Sequence, residues 1–448
     1  MKKAGDFPLQ LRTRKWLALG IGVKRYVALI FLGTVLVALA LAMFLAFIYR
    51  TVDVPENASP VIYTLTLQFI PHPWREVGVG VVGMLVVALG TLWLFKSILS
   101  VVIAPGEDVA EILYHGRKLR RGPRAVGIGG GTGMGVMLRG LKEHTSNLTA
   151  VVTVADDGGS SGRLRRDMGL VAPGDIRSCL TALADSEALM TKLVDYRFEE
   201  GGEIQGHSLG NLLLAALQDI EGGLDEGIEG LSQVLRIRGC IAPSTMSNVN
   251  LAAELEDGRM VVGESLIGKS GRIRKVFLVP RNVAANDDAV AAILAADLIV
   301  IGPGSIYTSI VPNILVTEIA AAIRASDAVK IYVCNVATES GETEDFSVRQ
   351  HIEVIEQYMG RGAFDHLIVN SHTNIDFADE PGPHLLRMSE SERREVRMAG
   401  IDIVVADVID EEIPVHHNSE RLARSIMDVY RTANSQGAIA KVTAIAQR

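Results

Sequence analysis

Six glycines fall within nine residues at Gly127-Ile128-Gly129-Gly130-Gly131-Thr132-Gly133-Met134-Gly135. Glycine lets a backbone turn sharply and approach a ligand closely. A helix opening straight after such a turn offers unpaired N–H groups and a partial positive charge to a phosphate. Gly129, Gly130, Gly131, Thr132 and Gly133 therefore read as a phosphate cradle rather than as a bare tight turn. No Gly-Lys-Ser/Thr follows, so this is not a Walker A loop, and threonine at 132 breaks the strict GxGxxG spacing. A second cluster is Asp156-Asp157-Gly158-Gly159-Ser160-Ser161-Gly162-Arg163. An acid at this place holds a ribose hydroxyl in dinucleotide folds, whereas two adjacent carboxylates suit Mg²⁺, a hard ion that shares oxygen ligands with phosphate. Ser160, Ser161 and Arg163 add donors for an anion, with a hydrated loop as the plain alternative.

Three further clusters follow. Pro173-Gly174-Asp175-Ile176-Arg177 opens a helix, with Asp175 either a cap or a ligand contact. In Gly206-His207-Ser208-Leu209-Gly210-Asn211, Ser208 suits an N-cap, and His207 and Asn211 stand four apart, on one face if the helix starts early. Gly302-Pro303-Gly304-Ser305 joins flexible backbone to a hydroxyl, Asn313 opens the next helix, and Asn335 and Gly341-Glu342-Thr343 follow another apolar run. Several polar, glycine-rich segments that each follow an apolar run argue for one shared site.

The elements that must position these residues show in the hydropathy pattern. Short apolar runs at 124–128, 148–155, 275–280, 297–302, 329–335, 366–370 and 402–407 read as strands. Stretches of helix length at 208–220, 286–296, 313–325 and 347–359 lie between several of them. Strands alternating with helices imply an α/β fold with a mainly parallel sheet, covered on both faces where the strands are continuously apolar, as in Leu298-Ile299-Val300-Ile301. Ligands of such sheets bind at the carboxyl ends of the strands.

Ahead of this region lie two uncharged runs, Val27–Tyr49 and Val77–Phe95, of 23 and 19 residues. Each is long enough to cross about 30 Å of hydrocarbon as a helix. Positive charge crowds both outer flanks: Lys2, Lys3, Arg12, Arg14, Lys15, Lys24 and Arg25 before, and Lys96, Arg117, Lys118, Arg120, Arg121 and Arg124 after. The positive-inside rule then puts both ends in the cytoplasm. The expected layout is a basic N-terminus (1–26), a membrane hairpin (27–95), a basic linker (96–123), a ligand-binding domain (124–435) and a C-terminal tail (436–448). The net charge of −8 gives no sign of nucleic-acid binding. Cys179, Cys240 and Cys334 are far apart and in no zinc or iron–sulfur spacing, which fits a reducing compartment.

Taken together, GGGTG at 129–133, TVADDGGSSGRLR at 153–165, PGDIR at 173–177, GHSLGNLLLAAL at 206–217, IGPGSIYTSIVPNILV at 301–316 and GETEDF at 341–346 resemble the gluconeogenesis factor (YvcK-type) branch of the CofD-like superfamily. The resemblance covers residues 124–435. It implies a Rossmann-like fold and binding of UDP-sugars such as UDP-N-acetylglucosamine. It also implies a role in envelope synthesis, cell shape and carbon use, with envelope-synthesis proteins and a second copy of the chain as partners to test. The sister branch transfers a phospholactyl group from a nucleotide-activated donor with Mg²⁺; by position Asp156 and Asp157 match its acidic motif and would be catalytic in an enzyme. The glycine spacing argues against NAD. The membrane hairpin departs from the soluble family pattern and would place the site at the membrane surface.

Overall fold

A computed structural model describes residues 74–102, 117–185, 188–371 and 383–446, with isolated positions between 31 and 71. The chain divides into two compact units, residues 1–117 and 118–448. In the first, the second expected span lies inside helix α1 (Trp74–Val102), on which Trp74, Val82, Leu92 and Trp93 are exposed. Its apolar stretch is Val81–Trp93, and among the described residues no single helix is long and apolar enough to cross a membrane. The expected N-terminus 1–26 lies outside the described residues, as does most of the first span, 27–49. The structure thus gives the expected hairpin no support.

The second unit is built on seven parallel strands. They are β1 (Ala125–Gly129), β2 (Leu148–Val152), β3 (Cys240–Pro243), β7 (Leu298–Ile301), β8 (Val329–Val333), β9 (His366–Asn370) and β10 (Asp402–Ala406), in the order β10-β9-β8-β7-β1-β2-β3. Every residue of β1 and β7 is buried, so side chains on both faces of these central strands are covered. The chain runs outward from β1 through β2 to β3, then returns to β7 on the other side of β1 and runs outward again. The switch point therefore lies between β1 and β7, and the carboxyl ends of all seven strands share one edge.

Helices α2 (Gly131–Leu141), α3 (Gly159–Met168), α4 (Gly174–Leu183) and α5 (Leu209–Glu221) carry the first four motifs. Helix α6 (Leu224–Leu235) leads to β3, and α7 (Asp287–Leu294) precedes β7. Helix α8 (Thr317–Ala325) follows β7, while α9 (Val348–Met359) and α10 (Glu390–Met398) each start on a reciprocal Ser/Gln or Ser/Glu capping box. The last helix, α11 (Ser419–Ala446), runs on through the boundary at 435.

The structure corrects three elements. The run at 275–280 is not in the main sheet: β6 (Ile273–Val279) pairs antiparallel with β4 (Asn250–Leu255), which pairs antiparallel with β5 (Met260–Val262). In β6, exposed Arg274 and Lys275 stand between buried Ile273 and Val276, the mark of a strand with one wet face. The run at 148–155 leaves the sheet after Val152, where Thr153 Oγ1 accepts the N–H of Ala155 at 3.3 Å. The expected helix 313–325 is two pieces, joined at an extended Val316 and bent by 78°. Short β3, which ends in proline, carries too few residues to show a period.

Candidate functional site

Four loops meet at the carboxyl edge, after β1, β2, β7 and β8. The first turn of α2 begins at Gly130, fully extended with φ −173° and ψ −179°, followed by Gly131 at φ +64°. That left-handed conformation favours glycine. A Cβ on Gly133 would lie 2.7 Å from the carbonyl oxygen of Pro303, so the post-β7 loop packs directly against the cradle. Asn313 ties the two together from beneath: its Nδ2 donates to the carbonyls of Gly129 (3.0 Å) and Ser309 (2.8 Å). Gly304 is fixed by Asn335, which accepts its N–H at 3.0 Å and donates to its carbonyl at 3.1 Å.

Three helix starts come together here. Asp175, in the first turn of α4, accepts the Gly131 N–H at 3.0 Å from the first turn of α2. Ser161 Oγ, in the first turn of α3, lies 2.4 Å from where a Cβ on Gly174 would stand, and Asp156 Oδ2 lies 2.6 Å from the same point. First-turn N–H groups have no partner within their own helix, so three partial positive charges converge on one small volume. That is an anion-binding arrangement, with Asp175 holding one amide that a phosphate oxygen would take. Thr132, in the same first turn of α2, is exposed.

The adjacent aspartates do different work. Asp156 Oδ1 accepts the N–H of Gly158 at 2.8 Å, inside the cluster of helix starts. Asp157 Oδ1 accepts the N–H of Ser265 at 2.9 Å, which docks the turn after β5 onto the post-β2 loop. Glycine 263, just before that turn, admits no side chain, because a Cβ there would sit 2.4 Å from Asp157 Oδ2. The docking brings in Glu264, a residue the sequence does not single out. Burial first, then the charges of Asp156 and Asp175, push its carboxyl up to about 9. Burial and then Asp156 push Asp175 up to about 7. Burial and then Glu339 push Glu342 up to about 7, although Thr308 Oγ1 donates to it at 2.7 Å.

The fourth motif also closes on α3. His207 lies just before the Ser208 N-cap of α5, yet it and Asn211 both reach Ser160 Oγ, at 2.9 and 3.0 Å. Arg163 is engaged with the loop before α5: its Nη2 donates to the carbonyl of Gln205 at 2.6 Å. The Gly-Ser-Ser-Gly segment is the start of a helix rather than a separate nest. Gly302, at φ +74°, and Ser305 belong to the post-β7 loop, and Ser305 bonds to Glu339. Arg165, which no sequence pattern singles out, is buried; its Nε donates to Asn248 Oδ1 at 2.5 Å, and it also donates to the carbonyl of Val249.

Buried polar atoms without a partner, among the described residues, include Arg165 Nη1, Arg177 Nε, Asn211 Oδ1, Glu264 Oε2 and Asn313 Oδ1. All five belong to the motifs or to the turn docked on them. Such atoms in a native fold call for a ligand, ion or water. Among the described residues no three histidines, cysteines or carboxylates are gathered closely enough to hold a metal ion by themselves. A separate groove at the far edge of the sheet, lined by His366, Arg397, Asp402, Val404 and Thr432, contains none of the glycine or acidic motifs.

Strand order and converging helix starts define a doubly wound α/β protein with its site at the strand carboxyl ends. Residues 125–409 match the 2-phospho-L-lactate transferase CofD family, and the chain belongs to that family. A gluconeogenesis factor of Bacillus subtilis is 41% identical over 319 residues, covering 69% of this chain and 98% of that protein. A relative from Nostoc sp. is 41% identical over 435 residues, covering 94% of this chain and 93% of its own. The crystal structure of a Bacillus halodurans protein superposes with a TM-score of 0.65 at 40% identity, covering 68% of this chain and all of that one.

Proposed function

We propose that the protein binds a UDP-sugar such as UDP-N-acetylglucosamine and regulates envelope synthesis, cell shape and gluconeogenic carbon metabolism from the cytoplasmic face of the membrane. The observation that carries the ligand class is the meeting of helix first turns, α2 with α4 at the Gly131–Asp175 contact and α3 with α4 where Ser161 lies against Gly174. A diphosphate is the ligand whose charge such a meeting accommodates. The regulatory role rests on relatives that are named gluconeogenesis factors. The anchor rests on the two uncharged runs and their basic flanks. Envelope-synthesis proteins and a second copy of the chain are the partners to test by pull-down and sizing.

The test is thermal stability of residues 118–448 with UDP-N-acetylglucosamine, UDP-glucose, GDP and NAD. This span is a compact unit, and a relative covering the same portion has been crystallised. A ligand at 100 times its dissociation constant stabilises the fold by about 2.7 kcal/mol, enough to raise the midpoint by a few degrees. A rise with UDP-sugars alone is the expected result. No rise with any UDP-sugar overturns the reading.

The acidic cluster favours a second reading, Mg²⁺-dependent transfer from a nucleotide diphosphate donor. The donor set suits the ion: Asp156 and Asp157 are hard oxygen ligands, and the raised carboxyls of Asp175 and Glu264 mark a place where negative charge lacks compensation. Mg²⁺ keeps several waters and takes one or two carboxylates plus phosphate oxygens, so no closed protein cage is required. The ion would neutralise charge on a departing phosphate. Nucleotide product that appears only with Mg²⁺, and not in Asp156→Asn, supports transfer; a UDP-sugar shift without product leaves the regulator.

A further inference from the structure

Ser160 stands in the first turn of α3 but is held by two side chains from the start of α5. Asn211 Nδ2 donates to its Oγ at 3.0 Å, and the Nδ1 of His207 lies 2.9 Å from the same oxygen. With one lone pair taken by the amide, the hydroxyl can give its proton to the imidazole, the arrangement of a hydroxyl next to its base. Burial, then the positive charge of Arg163, lower the His207 pKa, which keeps the ring neutral and able to accept.

Two features point to a ligand at this oxygen. Asn211 is 2% exposed and its Oδ1 is buried without a partner. That acceptor belongs to the same amide whose Nδ2 is fixed on Ser160, and, buried without a partner, it calls for a donor such as a ligand hydroxyl. The first N–H groups of α3 lack partners within the helix and can hold an anion beside Oγ. The segment Gly158-Gly159-Ser160-Ser161-Gly162, coming after a strand and opening a helix, also has the G-x-S-x-G spacing of a nucleophile turn. Its last glycine is obligatory, since a Cβ would lie 1.8 Å from the Asp157 carbonyl. It differs from that turn in presenting Nδ1 rather than Nε2 to the serine.

We propose that Ser160 is a nucleophile, with His207 as its base, acting on a phosphorus of the phosphate-bearing ligand; this rests on the ligand class inferred above. The Oγ–P bond forms as the bond from phosphorus to the leaving oxygen breaks. The serine proton passes to His207 Nδ1 and then to the leaving oxygen. Water next attacks the phosphoserine, loses its proton to His207, and Ser160 departs with that proton, so both residues end unchanged.

The probe is an alkyl fluorophosphonate applied to the full chain, followed by proteolysis and mass mapping. Its phosphorus bonds to Oγ, fluoride leaves, and His207 takes the proton. The expected result is an adduct on Ser160, formed at least tenfold more slowly in His207→Gln. No adduct on Ser160 in the wild-type chain, when a control serine hydrolase is fully labelled, overturns the proposal. So does an adduct on Ser161 alone, or an undiminished rate in His207→Gln. The wild-type map needs no variant to fold, and melting curves check that His207→Gln does. Labelling needs no nucleotide sugar, so a UDP-sugar shift without labelling overturns this step alone, and labelling without a shift overturns only the UDP-sugar reading.

Discussion

Asp175 receives the Gly131 N–H at 3.0 Å while buried beside Asp156, and the two facts pull its proton affinity in opposite directions. The bond favours the charged carboxylate, but burial and the neighbouring charge win and carry the group to about 7 from an ordinary 3.8. The sign follows from linkage. A carboxyl raised on folding contributes stability that is full below its unfolded pKa and is lost as pH climbs through the folded one. Asp175 thus costs stability between about 4 and 7, and Glu264 extends the loss toward 9. The ligand-free domain is expected to weaken by on the order of a few kcal/mol across that window. Asp175→Asn should flatten the fall and raise stability at pH 8 by about 1–3 kcal/mol. Urea midpoints from pH 4 to 9 check it; an unchanged slope in the variant would assign the titration elsewhere. A cation that settles in the cluster should remove the same slope.

At the scale of elements, the site depends on how closely α2 can be packed. A Cβ on Gly140 would lie 2.1 Å from the carbonyl of Ser419, at the start of α11. Gly140→Ala must push backbone from backbone and is expected to cost about 1–3 kcal/mol, read as a lower urea midpoint with an unchanged slope. Asn313→Ala removes a buried donor shared by the carbonyls of Gly129, which keeps the Thr153 N–H, and Ser309, at about 1–3 kcal/mol, and should also slacken the turn they support. The elements themselves were legible where their period was strong. Helix 347–359 sits at Val348–Met359 on its capping box, and the run at 297–302 sits at Leu298–Ile301. Strand β6 was legible as a strand but not as a member of a second sheet, since pairing partners are chosen by the rest of the chain. The break at Val316 hid inside the apolar pattern because the first piece, Val311–Ile314, is buried throughout while the second buries only Ile319, Ala320, Ala322 and Ile323, so no polar signal marks the join.

For the whole molecule, the division at residue 117 predicts that 118–448 folds without the N-terminal unit. The proposed anchor then makes a separable prediction. Full-length protein should sediment with membranes and resist high-salt extraction, whereas 118–448 should stay in the supernatant with its UDP-sugar shift intact. Full-length protein released by salt alone would dismiss a spanning hairpin, because surface charge is screened and hydrocarbon burial is not. The antiparallel insert is the other large-scale feature. Its turn from Gly263 to Gly268 lies between Asp157 and the loop at Gly341, where a Cβ would meet the Gly268 carbonyl at 1.6 Å. The insert is therefore a wall of the site rather than an appendage.

Sequence alone determined the α/β class and marked the glycine-rich turn at 129–133 and the clusters from Asp156 to Arg163, at Asp175 and from His207 to Asn211. These are local properties: period, turn chemistry and the residue types that phosphate and hard cations require. Tertiary structure decided which of them meet. It separated Asp156 from Asp157 by giving them different partners, engaged Arg163 with loop carbonyls, and set His207 and Asn211 on one serine hydroxyl. It also brought Glu264 in from an insert about a hundred residues along the chain. No local pattern encodes that arrival, because a carboxylate on a short turn looks the same whether it faces water or the charges of Asp156, Asp175, Glu342 and Asp157. The difference is made by burial and by Coulomb energy between groups that only the folded chain brings together.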